Sequence, residues 1–141
     1  MKQGFVKVAS ATPRIRVADP VYNAQVICEQ AKEAAEHGAK IVVFPELCIT
    51  GYTCNDLFLQ ELLLEKAKEA LLTIAEETGQ LETLFLVGLP VDKDGRLYNV
   101  AAVLYRGRIL GMIPKKNIPM YAEFYEGRHF TPGEETVTEY R

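Results

Sequence analysis

Apolar residues in this chain fall into short continuous runs, set apart by two longer stretches with helical spacing. Phe5 to Ser10 is β-branched and apolar, broken by Lys7, and reads as a first strand. A polar segment from Thr12 to Asp19 follows. Asp19-Pro20 then opens a helix, because Asp accepts from the orphan amides and Pro suits the first helical position. Ala24, Ile27, Cys28, Ala31, Ala34 and Ala35 recur on one helical face. That stripe is mostly small, which favours close packing on a sheet. His37-Gly38 ends the helix, since Gly takes the left-handed conformation cheaply. Ile41-Val42-Val43-Phe44, between Gly38 and Pro45, predicts a strand buried on both faces. Strand, helix, strand implies a right-handed crossover with parallel pairing.

A loop from Pro45 to Asn55 comes next, and a second helix is predicted from Asp56 to Thr78. Its apolar face holds Leu59, Leu63, Ala67, Ala70, Leu71 and Ile74, and Gly79 stops it. Leu84 to Leu89 is a further buried strand. Asp92-Lys93-Asp94-Gly95 is a turn signal. Leu97 to Tyr105 and Ile109 to Ile113 form two more strands, joined in a hairpin through Arg106-Gly107-Arg108. Pro114 to Arg141 has no clear period. Without a repeat or a linker, the chain reads as one continuous α/β unit.

Composition narrows the function. With 141 residues the chain is one domain or a piece of one. Apolar residues make up 48% and charged residues 25%, which excludes a disordered tail, a collagen-like repeat and a coiled coil. A net charge of −3 gives no basic footprint for nucleic acid. No apolar run is long enough for a membrane span, and the first residues lack the apolar stretch of a signal peptide. Cys28, Cys48 and Cys54 are odd in number and form no CxxC pair, so a reducing cytoplasm is expected rather than a disulfide framework. His37 and His129 are too far apart for a local metal motif, and no metal site is expected. Neither GxxxxGK nor GxGxxG occurs, so no nucleotide-binding loop is expected in this stretch.

Three places can carry chemistry. Glu46 stands two residues past a strand, where sites collect in open α/β sheets. It is either a desolvated general base or a solvated loop acid. Lys115 or Lys116, at the end of the last strand, can steady an oxyanion or can simply lie on the surface. Among the cysteines, Cys28 lies on the apolar helix stripe and reads as packing. Cys48 shares the loop of Glu46, and Cys54 precedes a helix whose dipole favours a thiolate. No histidine is placed to serve either as base. His37 reads as a helix C-terminal residue, and His129 has no assigned role.

Phe44-Pro45-Glu46-Leu47-Cys48-Ile49-Thr50-Gly51-Tyr52 resembles the catalytic-glutamate motif of the nitrilase, or carbon–nitrogen hydrolase, superfamily. The order strand, helix, strand-Glu, helix, strand, hairpin, strand-Lys is similar as well. Three further stretches are similar to the glutamine-dependent NAD synthetases: Thr53 to Phe58, Pro114 to Pro119, and Glu123 to Gly133. The resemblance implies a nitrilase-like α-β-β-α sandwich and glutaminase chemistry. A cysteine thiolate attacks the carboxamide of glutamine, a glutamate is the general base and a lysine steadies the tetrahedral intermediate. Ammonia then passes to an ATP-using domain that amidates nicotinic acid adenine dinucleotide to NAD. The motifs place the glutamate at Glu46 and the lysine at Lys115, with Tyr121 lining the glutamine pocket.

The resemblance also implies what to expect elsewhere. In that family the nucleophile sits in a segment resembling Gly-Val-Glu-Ile-Cys-Glu-Asp, which does not occur before Arg141. Cys48 and Cys54 do not match its place. The expected reading is residues 1–141 as the N-terminal portion of a glutaminase domain, inactive alone. The rest of its polypeptide is the expected partner, with ATP and magnesium on an absent synthetase domain, and a homo-oligomer for the full-length enzyme. The competing readings are another carbon–nitrogen hydrolase, such as an amidase or carbamoylase, or a non-catalytic half-fold that binds a partner.

Overall fold

The computed structural model describes residues 4–119 and 126–140. The polypeptide forms strand β1 (Val8–Ser10), helix α1 (Pro20–Glu36), strand β2 (Ile41–Val43), a 3-10 turn (Asn55–Leu59), helix α2 (Glu61–Glu77), and strands β3 (Leu84–Lys93), β4 (Arg96–Tyr105) and β5 (Arg108–Pro114). A second 3-10 turn spans Glu126–Arg128. The strands make one sheet in the order β1-β2-β3-β4-β5. β1, β2 and β3 are parallel, as a βαβ crossover requires, and β4 and β5 return antiparallel. The family's α/β arrangement expected from the motifs is present.

Local signals explain most boundaries. Asp19 accepts from the Tyr22 amide at 3.1 Å and Pro20 starts α1, as expected. His37 caps its far end and Gly38 follows at φ +87°. The β3–β4 hairpin turns on Asp94 and Gly95, and the β4–β5 hairpin on Arg106 and Gly107, all four with positive φ. Paired positive φ values match the twist of the flanking strands. β1 is shorter than expected and begins only at Val8.

Two expectations need correcting. The second helix does not start at Asp56. Gln60 is extended at ψ 122° and divides the 3-10 turn from α2. β2 is not buried on both faces: Val42 is fully buried, but Ile41 and Val43 are 36% and 45% exposed. Among the described residues, helices cover only one side of the sheet. There, Ile27, Ala31, Ala67, Ile74, Val42 and Phe85 meet in the main core, α1 against α2 and α2 against β3. The stripe of small residues on α1 does face this core.

The other side carries Val8, Ile41, Val43 and Ile113, all exposed. At one end only, this side is covered by loops. The 44–59 loop and the 126–133 stretch close over Leu97 with Leu47, Phe58 and Phe130 in a second, smaller cluster.

Candidate active site

Glu46 is delivered by a loop sewn to the neighbouring strand. The Phe44 amide donates to the Leu86 carbonyl at 3.0 Å, and the Ile49 amide to the Gly88 carbonyl at 3.1 Å. Between these bonds the loop crosses directly over β3. A Cβ at Gly88 would stand 2.4 Å from the Leu47 nitrogen and 2.8 Å from the Pro45 oxygen, so only glycine admits the crossing. Leu47 itself takes φ +51° and is fully buried, a strained conformation held by its packing. From behind, the buried amide of Asn23 donates to the carbonyls of Ile49 and Arg16 and accepts from the Arg16 amide.

Lys115 follows the last residue of β5 and keeps the strand register, its amide donating to the Asn99 carbonyl at 2.7 Å. Pro114 pairs with Val100, whose side chain lies in the helix-side core. Alternation therefore turns Lys115 to the opposite side of the sheet, toward Glu46. Lys116 instead pairs with exposed Glu135. The two lysines that position alone left open thus have different partners.

Lys115 Nζ lies 2.9 Å from Glu46 Oε1 and 3.0 Å from Glu126 Oε1. Glu126 is the residue that sequence reasoning did not single out. Its side chain is 5% exposed, whereas that of Glu46 is 51% exposed. The buried carboxylate is satisfied: Tyr52 Oη donates at 2.8 Å, Lys115 at 3.0 Å, and Asn99 Nδ2 reaches Oε2 at 3.5 Å. The turn that carries Glu126 is fixed to the sheet. The Thr131 amide donates to the Leu97 carbonyl and the Gly133 amide to the Lys115 carbonyl. A Cβ at Gly133 would sit 2.8 Å from Pro114, so this crossing also needs glycine.

The electrostatics follow from this geometry. Partial burial pulls the Lys115 ammonium down, but the two carboxylates outweigh it and leave its pKa above the ordinary lysine value. The lysine is therefore a cation throughout the neutral range. Glu46, with half its side chain in solvent, is more exposed than its position beyond a buried strand suggested. One fixed ammonium and one accessible carboxylate can hold a developing oxyanion and accept a proton.

The Cys48 and Cys54 thiols meet backbone carbonyls and not this set. Burial pushes Cys48 up to about 11, and its Sγ faces the Gly88 carbonyl at 3.7 Å. Burial also raises Cys54, against the expectation that a following helix would lower it, because that element is a five-residue 3-10 turn with a weak dipole. Cys28 packs in the core as expected, with its thiol at about 11. All three are free. Tyr121 lies outside the described residues, as do Glu123 to Tyr125. A small cavity of about 100 Å³ adjoins Glu126, lined by Tyr52, Asn55, Phe58, His129 and Phe130 among others. Among the described residues no three His, Cys, Asp or Glu side chains group as metal ligands. No helix there is long and apolar enough to cross a membrane.

Comparison with known proteins gives a consistent picture. A family model described as carbon–nitrogen hydrolase matches residues 7–140. A glutamine-dependent NAD(+) synthetase of Mycobacterium tuberculosis is 40% identical over 133 residues, 94% of this chain and 20% of that protein. The crystal structure of a glutamine-dependent NAD(+) synthetase from Cytophaga hutchinsonii superposes with a TM-score of 0.88 at 30% identity, over 95% of this chain and 23% of that one. A mutant amidase from Nesterenkonia sp., with the acetamide moiety of fluoroacetamide added covalently at its active-site cysteine, has a TM-score of 0.76 at 25% identity over 92% of this chain and 49% of the amidase. The chain thus spans about a fifth of the length of the curated relatives it matches.

Proposed function

The chain belongs to the carbon–nitrogen hydrolase family, and on that premise we propose that it forms part of a glutamine-hydrolysing site that feeds ammonia to NAD synthesis. The observation that carries the reading is Lys115 held between Glu46 and Glu126. Glu46 takes the proton of an attacking thiol. Sulfur bonds to the amide carbon and the carbonyl electron pair moves to oxygen, where Lys115 stabilises the charge. Glu46 then returns the proton to the departing nitrogen, ammonia leaves, and water cleaves the glutamyl thioester. Tyr121 lines the glutamine pocket.

On this reading the thiol belongs to the rest of the polypeptide: all three cysteines here are buried, and Cys48 and Cys54 face the Gly88 and Thr50 carbonyls rather than Glu46. Residues 1–141 are on this reading the N-terminal portion of the glutaminase domain. The amidation of nicotinic acid adenine dinucleotide, with its ATP and magnesium, lies on a synthetase domain of the same polypeptide. No acidic cluster among the described residues fits magnesium. The full-length enzyme is a cytoplasmic homo-oligomer. The higher identity to the NAD synthetase than to the amidase favours this substrate over a simple amide.

The test is Glu46→Gln in the full-length enzyme. An amide cannot accept the thiol proton, so glutamine-supported NAD formation falls by about two to four orders of magnitude. Formation on added ammonia stays at the wild-type rate. Equal loss of both activities contradicts the assignment.

A further inference from the structure

His129 is nearly buried, with 9% of its side chain exposed, yet it is neither in the main core nor in contact with Glu46 or Lys115 by any hydrogen bond. Its ring packs against Phe58, with centroids 5.8 Å apart, and Phe58 in turn packs against Phe130 at 5.0 Å. Nε2 lies 3.1 Å from Oδ1 of Asp56, in the 3-10 turn that follows Tyr52. The backbone amides of His129 and Phe130 both donate to the Glu126 carbonyl, so the histidine and the buried carboxylate share one turn. We infer that His129 is a positioning residue: through Asp56 it ties the turn carrying Glu126 to the loop carrying Tyr52, and so holds the carboxylate against Lys115.

The groups around the ring fit this role. Asp56 accepts from Nε2 and also meets Arg128 at 3.5 Å, while Glu126 lines the same cavity as the ring. A histidine donates through Nε2–H as the imidazolium or as one neutral tautomer, so the tie does not depend on its charge. The His129 hydrogen bond and the Arg128 charge hold the Asp56 carboxyl below the usual carboxylate range. The tie is therefore made across the neutral range and opens only on acidification.

The inference rests on the proposed role of Lys115, but its test needs no turnover. Brief acylation of the whole protein with acetic anhydride, read by mass spectrometry as a function of pH, reports the reactivity of each lysine. Lys32, on α1 and paired with Glu77, is the internal reference. Asp56→Ala, at an exposed position that does not threaten folding, and His129→Leu should each raise Lys115 acylation at fixed pH about three- to tenfold, as expected for loss of roughly half to one pKa unit. The double variant should match Asp56→Ala, which already removes the bond to His129. His129→Gln, which keeps an N–H donor, should stay within about twofold of wild type. An unchanged Lys115 profile in Asp56→Ala overturns the inference. So does a parallel rise of Lys115 and Lys32, which would mark general loosening. Wild-type full-length enzyme that shows the labelling pattern but no glutamine hydrolysis would sink the proposed function and leave the tie standing.

Discussion

The two sides of the sheet differ in what covers them. On the helix side Ile27, Val42 and Ile74 have no exposed surface. On the other side Val43 and Ile113 are 45% and 60% exposed, and Val8 63%. One side is a finished core; the other is an apolar surface of a kind that monomers rarely leave bare. Glu46, Lys115 and Glu126 all stand at one end of this second side, the two glutamates carried by segments packed tightly against Gly88 and Pro114. The difference gives the site one packed wall and one open one. On the proposed function, the segment that covers the open side also brings the thiol to Glu46.

The largest expected effect follows directly. The 141-residue chain alone should not hydrolyse glutamine. Removing the nucleophile from such a constellation costs on the order of a millionfold. Adding a separately expressed downstream segment should restore both activity and solubility. Steady glutamate release from the chain alone, blocked by Cys48→Ser or Cys54→Ser, would make the two sides equivalent and refute the account.

Next in size is the contrast in packing. Ile74→Ala on the covered side should destabilise the chain by about 2–5 kcal/mol in denaturant unfolding. Val43→Ser and Ile113→Ser on the open side should cost much less and should reduce self-association in sedimentation. Equal losses on both sides would mean that something already covers the open one.

The smallest effect is on alkaline stability. The Cys28 and Cys48 thiols are raised from 9.0 to about 11 in the folded chain. Between these values the folded state binds more protons than the unfolded one, so stability falls as pH rises from 9 toward 11. The contribution of each thiol is confined to this alkaline window. Lys115, also raised, acts in the same direction once pH passes the ordinary lysine range. Cys48→Ala should flatten the profile measured by thermal unfolding, and an unchanged slope would contradict burial as its cause.

How much of this was legible in the sequence depends on the range of the interactions. Asp19, Pro20 and Gly38 bound α1 by local chemistry, and both ends of the helix were readable. The break at Gln60 was hidden because Leu59 and Leu63 keep helical spacing across it. An apolar run such as Ile41 to Phe44 shows that a strand prefers burial, but not which side has a cover. Glu46 and Lys115 could be singled out because each follows a recognisable strand and motif. Glu126 was missed because its segment has no period, and its setting arises from distant residues: Tyr52, 74 positions away, Asn99 and Lys115. Cys54 was misjudged because burial outweighs a short turn's dipole.

The central claim is that the open side presents Lys115, and not its neighbour, to the reacting amide. Glutamate release by the full-length enzyme carrying Lys115→Ala or Lys116→Ala tests it most directly. Loss of a fixed cation at an oxyanion costs about two to three orders of magnitude, so Lys115→Ala should fall by that much. Lys116→Ala, which removes only an exposed pair with Glu135, should stay within about twofold of wild type. The reverse ranking, or equal losses, would contradict the assignment of this side of the sheet as the site.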